Sequence, residues 1–221
     1  MKIDIISDVV CPWCYIGKKN LEAAMAQRPE IDFEVQWFPY QLHPEAPLEG
    51  YDYIETIEGK YGKARIQMMF AQITQAANSA GLRMNIEGIE RGANTLLAHR
   101  LLGLAFREGG SRLQNALSEA LFEAYFCGNR DIGNTEVLCA IASEVNMDKA
   151  KVNTYLNSDE GLEEVTKQIG FARQQGISGV PSFSLEGQFV LSGGQQSEVF
   201  LGAIDRLAEK MNEASKATQE P

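Results

Sequence analysis

Two cysteines bracket a Pro-Trp pair in Cys11-Pro12-Trp13-Cys14, directly after the apolar run Ile3-Asp4-Ile5-Ile6-Ser7-Asp8. The spacing puts the sulfurs at a strand-to-helix junction, Cys11 at the exposed helix end and Cys14 one turn inside. That asymmetry suits thiol-disulfide exchange, in which one thiol attacks as thiolate and the other waits nearby to resolve the mixed disulfide. A helix N-terminus stabilises an anion by about 0.3 to 2 kcal/mol. Further help must come from hydrogen bonds, offered by the backbone N–H groups of Trp13 and Cys14 and by the Cys14 thiol, whereas Pro12 has no N–H to give. Pro12 and Trp13 are the residues expected to tune the pair.

Two other uses of these thiols fit less well. Structural zinc wants four ligands, and the remaining candidates, Cys127, Cys139, His43 and His99, come singly with no second short-spaced pair, so no metal is expected. Burial of two inert thiols is disfavoured because Cys11 precedes the helix, where solvent access is expected. Cys127 and Cys139 flank a Gly-containing turn and are read as packing residues. Met68-Met69-Phe70 is read as helical core rather than a peptide-binding patch.

The elements that hold the motif follow from periodicity. The run through Ile3, Ile5 and Ile6 predicts a buried strand. Pro12 suits the first helical position, and Cys14, Gly17, Leu21, Ala24 and Met25 repeat at helical spacing, giving a helix that ends near Pro29. Phe33 to Phe38 alternates with period two and predicts a second strand. From Tyr53 to Asn157 the pattern is all-α, with helices at 53–62, 64–80, 94–108, 111–127, 135–145 and 148–156, stopped by Gly81, Gly109-Gly110 and Gly128. Ser158 predicts a cap for one more helix ending at Gly176, Ser182–Leu185 and Gln188–Leu191 predict a hairpin, and Glu198 to Met211 predicts a closing helix before a polar, frayed tail from Asn212 to Pro221. The fold class is therefore α/β: a sheet domain of residues 1–43 and 160–221, interrupted by an all-α helical insertion at 44–159, with a cleft between them.

Composition excludes several roles. The chain has 221 residues, 44% of them hydrophobic and 23% charged, as in an ordinary globular protein. A net charge of -10 repels phosphate backbones and anionic lipid, so nucleic acid and membranes are not expected partners. No stretch approaches the roughly 20 apolar residues of a membrane span. Acids interrupt the N-terminal run where a secretory signal needs an apolar core, so a cytoplasmic location is expected. Four cysteines are too few for a disulfide scaffold.

Cys-Pro-Trp-Cys after a first strand, the helical insertion, and Gly179-Val180-Pro181 opening the late hairpin together resemble the DsbA-like branch of the thioredoxin superfamily. More narrowly, Ser7-Asp8-Val9-Val10-Cys11-Pro12-Trp13-Cys14-Tyr15-Ile16-Gly17, with Asn94-Thr95-Leu96-Leu97-Ala98-His99-Arg100 and Asp131-Ile132-Gly133, is similar to FrnE-type dithiol-disulfide oxidoreductases or isomerases. The resemblance implies a thioredoxin fold whose Val180–Pro181 bond is cis and faces the sulfurs, with the backbone of Val180 pairing to substrate. It also implies a disulfide-bearing protein or a small thiol or disulfide as substrate. No cofactor is expected beyond glutathione as a co-substrate. Asn94 and His99 fall on one predicted helix, where they either border the cleft or serve as an N-cap and a hydrogen-bonded structural histidine.

The same insertion architecture also resembles kappa-class glutathione transferases and 2-hydroxychromene-2-carboxylate isomerases, which carry serine where Cys11 stands. Two cysteines favour the redox reading. Reductase, oxidase and isomerase can all use such a pair, since about 30 mV of potential, or 1.4 kcal/mol, already shifts the direction of flow.

Overall fold

The computed structural model describes residues 1–217. Its central sheet has the order β2-β1-β5-β6, formed by β1 (Lys2–Ser7), β2 (Glu34–Pro39), β5 (Ser182–Leu185) and β6 (Phe189–Ser192). β1 and β2 run parallel, Ile5 opposite Trp37, because α1 (Pro12–Met25) provides the crossover. β5 returns antiparallel on the other side of β1, Ile5 opposite Phe183, and the hairpin to β6 completes the sheet. The β-branched residues of β1 account for its central place: Ile3 and Ile5 are fully buried.

Helix α8 (Ser197–Ala217) packs beside α1, and the Phe183 and Phe200 rings meet edge to face at 4.8 Å. Gly17 permits this approach, since a Cβ there would lie 2.8 Å from Cζ of Phe183. Between β2 and the second half of the sheet come the small ladder of β3 (Tyr51–Asp52) and β4 (Arg91–Gly92), then α2 (Tyr53–Tyr61), α3 (Lys63–Ser79), α4 (Leu96–Phe126), α5 (Thr135–Glu144), α6 (Lys149–Leu156) and α7 (Leu162–Gln174). Sheet and helices share one continuous apolar core. Helix α4 also closes the sheet edge: Gln114 accepts from the Trp37 N–H and donates to its carbonyl, both at 2.9 Å, as a neighbouring strand would.

The helices expected at 94–108 and 111–127 are both present within α4, parted by a kink where Gly109 and Gly110 leave helical geometry. Several other sequence expectations change. The block read as all-α contains the β3–β4 ladder, whose two-residue strands are too short to show alternation. Helix α7 starts at Leu162 after a left-handed Gly161, and Ser158 instead turns back, its hydroxyl donating to the Tyr155 carbonyl. Helix α1 ends at Met25, four residues before Pro29. The closing helix runs on through Ala217, so residues 212–217 of the expected frayed tail are helical; the last four lie outside the described residues.

Candidate functional site

Cys11 caps α1 in extended geometry, φ -92° and ψ 113°, and Pro12 follows in the first turn. The main chain bends tightly into the helix: Cys11 N–H donates to the Asp8 carbonyl at 3.0 Å, and Cys14 N–H donates to the Cys11 carbonyl at 3.0 Å. The structure brings Val180 and Pro181 to the same point. Their peptide bond is cis, and the Cys11 sulfur lies 3.6 Å from the Val180 carbonyl oxygen. The Gly193 N–H fixes the loop from behind by donating to the Pro181 carbonyl at 2.8 Å.

All four cysteines are free thiols. Cys11 is not solvent-exposed as its place before the helix suggests: the residue is 4% exposed, because a loop 169 positions away puts the Val180 carbonyl against its sulfur. Trp13 is the open member of the motif at 37%, and Cys14 is wholly buried. Burial pushes the Cys14 thiol well above the ordinary range, and the hydrogen bond and charge of Cys11 add to this, while Ser7 and the Asp8 N–H act in the other direction. Cys14 is thereby the thiol of the pair that burial holds protonated.

Tyr53, in the first turn of α2, lies near enough to Cys11 to feel its charge; its phenol is pushed up to about 12, chiefly by burial. Behind the motif, Asp8 is fully buried. Its carboxylate accepts from the Leu42 N–H at 2.7 Å and stands 3.3 Å from Nε2 of His99. That nitrogen is also 2.8 Å from the Tyr40 carbonyl, which can only accept, so Nε2 carries a hydrogen. Asn94 is tied in similarly, donating to the Ala46 carbonyl at 2.7 Å and accepting from the Leu96 N–H at 3.0 Å. Of the two expectations for this pair, His99 is the hydrogen-bonded histidine and also lines a cavity of about 100 Å³ between β2 and α4. Both are buried and anchor the 40–46 loop to α4, and the helix cap itself is Thr95.

Other sequence readings divide. Cys139 is buried as expected, but Cys127 is exposed because it falls just past the end of α4. Phe70 is core, whereas Met68 is 62% exposed and shares with Trp13, Arg65, Met69, Gln72 and Ile73 a depression of about 420 Å³. The stripe that buries α3 is Ile66, Phe70, Ile73 and Ala77, and Met68 lies off it. Sequence reasoning passed over the environments of Ser7, Asp8 and Tyr53. The available signal was an acid placed immediately after an apolar strand and before a reactive pair.

The mixed four-stranded sheet, with a Cys-Pro-Trp-Cys helix start facing a cis-proline loop, defines a thioredoxin-type protein. The DSBA-like thioredoxin domain family matches residues 2–205, and the chain belongs to that family. Among its relatives, the uncharacterized protein YwbO of Bacillus subtilis (strain 168) is 27% identical over 203 residues, 91% of this chain and 94% of that protein. The solved structure of the probable DsbA oxidoreductase SCO1869 of Streptomyces coelicolor superposes with a TM-score of 0.84 at 31% identity, covering 93% of this chain and 89% of the other. The cytosolic disulfide reductase DsbM of Pseudomonas aeruginosa, solved with GSH, shares the fold with a TM-score of 0.67 at 17% identity over 95% of this chain and all of that one. Among the described residues no helix is long and apolar enough to cross a membrane.

Proposed function

We propose that this DsbA-like chain is a thiol:disulfide oxidoreductase of the FrnE type, acting in the cytoplasm through the Cys11–Cys14 dithiol. One observation carries the reading: the Cys11 sulfur, at a helix start, lies 3.6 Å from the Val180 carbonyl, with Cys14 one turn behind. Cys11 attacks a substrate disulfide as thiolate, forming a mixed disulfide and expelling the first substrate sulfur as thiolate. Cys14 then loses its proton and attacks the Cys11 sulfur, and the second substrate sulfur leaves with the electron pair. Two electrons pass to the substrate, and two thiols of the glutathione class, leaving joined as their disulfide, return the pair to its reduced form. Pro12 withholds a donor from the Cys11 sulfur, and Trp13 presents an apolar face to the substrate. The Val180 main chain, next to Pro181, lies where an extended substrate segment would pair with it.

The cytosolic, glutathione-bound relative supports both the compartment and the class of reductant. Replacing Cys14 by Ser should trap a mixed disulfide at Cys11, seen as a mass increase reversed by dithiothreitol. Insulin reduction and refolding of scrambled ribonuclease then assign reductase or isomerase work. No adduct with Cys14→Ser, or full activity in Cys11→Ser, overturns the proposal, and the second result transfers the chain to the glutathione isomerase or transferase reading.

A further inference from the structure

Residues 59–86 carry four cations, Lys60, Lys63, Arg65 and Arg83, and no acid, although the whole chain has 30 Asp and Glu against 20 Lys and Arg. Three of the four gather where α2 gives way to α3. Lys60 Nζ stands 5.3 Å and the Arg65 guanidinium 5.9 Å from the centre of the Tyr61 ring, and Lys63 opens α3. All three are exposed, and among the described residues none forms an ion pair, not even with Glu55 or Glu58, the acids closest in sequence. A helix start favours acids, so these cations do nothing for α3 itself.

Arg65 also lines the depression of about 420 Å³ that Met68 and Met69 share with Trp13. A second depression, of about 610 Å³, meets the first at Trp13 and Gln72 and continues past Gln75 to Gln196 and Glu198 around the start of α8. Arg65, Met68, Gln72 and Gln75 recur at helical spacing along α3, so one wall of this trough comes from the insertion and the other from α1 and the start of α8. Trp13, between the two cysteines in the chain and 37% exposed, lines both depressions. The trough is basic at the α3 start, apolar beside the dithiol and acidic at Glu198. Methionine adapts its shape to varied apolar side chains. The Debye length at physiological salt is about 8 Å. Acids elsewhere on the chain are therefore screened here, and the local cations set the sign.

We propose that this trough docks disulfide-bearing polypeptides with acidic residues beside the cystine. Lys60, Lys63 and Arg65 hold the acids, and the depression between Met68 and Trp13 takes an apolar neighbour. The inference rests on the dithiol reading above and adds the substrate class. Glutathione offers carboxylates but no apolar side chain for the depression, so the polypeptide is the partner that fits both parts.

The test uses the full chain carrying Cys127→Ser, reduced, with two short synthetic peptides whose single cysteine is joined to thionitrobenzoate. Both have leucine next to the cysteine; one carries glutamates beside it, the other glutamines in their place. Cys11 attacks the peptide sulfur as thiolate, a Cys11–peptide S–S bond forms, and thionitrobenzoate leaves with the electron pair, so its release reads the rate. The parent should attack the acidic peptide about tenfold faster than the neutral one at low salt, and the gap should narrow as salt rises. Replacing Lys60, Lys63 and Arg65 together by Ser should remove the preference and leave attack on uncharged 2,2′-dithiodipyridine at the parent rate. Equal rates for the two peptides in the parent overturn the proposal, as does a preference that survives the triple substitution. A glutathione–thionitrobenzoate disulfide slowed by the substitutions as much as the acidic peptide assigns the cations to glutathione and overturns the polypeptide reading. Should the triple variant fail to fold, a preference in the parent that does not fall with salt overturns the proposal. If Cys11→Ser reacts with 2,2′-dithiodipyridine as fast as the parent, the dithiol reading itself falls and the proposal with it, a result that needs neither peptide.

Discussion

Two turns of the same helix hold buried polar groups in opposite ways. Where β1 runs into α1, Cys11, Cys14 and Ser7 are buried with few bonds: one long contact from Cys11 to Val180, and a Ser7 hydroxyl with no hydrogen-bond partner. One turn further on, Lys18 is 2% exposed and saturated, bonding Glu22 and also Glu119 at 2.6 Å, while Tyr15 donates to Glu119 at 2.9 Å and Lys19 reaches it at 2.6 Å. Arg100 is saturated as well, donating to the carbonyls of Tyr155, Leu156, Ser158 and Glu160. Buried charges persist where they are matched and hydrogen-bonded. Sulfurs that must change partners are better left with bonds that break easily. Substitutions at the first turn should therefore cost activity, and substitutions in the saturated clusters should cost stability.

The largest effect is expected at the first turn. Cys11→Ser should abolish insulin reduction, because an alcohol is not ionised at neutral pH, while unfolding by urea changes by less than about 1 kcal/mol, the replacement being nearly isosteric. A loss of stability several times that size would mean that Cys11 is a core residue rather than a reactive one. The converse holds at Arg100. Arg100→Met leaves buried carbonyls at the α6 end without donors and should cost about 3 kcal/mol, lowering the melting temperature by about 6 to 12 °C for a chain of this size. The attack rate of Cys11 on a small disulfide should stay within about twofold. If that rate falls with stability, the clamp and the thiol site are one unit and the contrast between them is lost.

The same contrast explains which parts of the molecule were legible in the sequence. The strand, Pro12 at the first helical position, the glycine bend in α4 and the late hairpin depend on neighbours a few residues apart, and periodicity reports those directly. The burial of Cys11 depends on Val180, the fate of His99 on Asp8 and Tyr40, and the role of Arg100 on a turn 55 to 60 residues downstream. Such partners leave no trace in local spacing. Met68 is different: the stripe Ile66, Phe70, Ile73 already leaves it on the open face, so there the pattern was present and composition was given too much weight.

Glu119 offers the smallest expected effect and a pH signature of its own. Burial opposes its ionisation, but Lys18 and Lys19 outweigh that and hold its carboxyl below the ordinary range. A carboxyl with a lower value folded than unfolded, the latter about 4.3, contributes stability that is complete well above the unfolded value and is lost as pH falls through the folded one. Its side chain is 28% exposed, so solvent screens part of the attraction. Glu119→Gln should then cost about 1 to 2 kcal/mol at neutral pH, with Glu22 left to pair with Lys18. The gap from the parent should close as urea unfolding is repeated at falling pH, from neutral through the unfolded value and on below it, as the native carboxyl in turn gains its proton. A gap that stays constant across that range would assign the loss to packing around Tyr15 instead of to charge. A change in the rate at which Cys11 attacks a small disulfide would show that the saturated turn does reach the sulfurs eleven and eight residues before Glu22, and the division of labour along α1 would have to be abandoned.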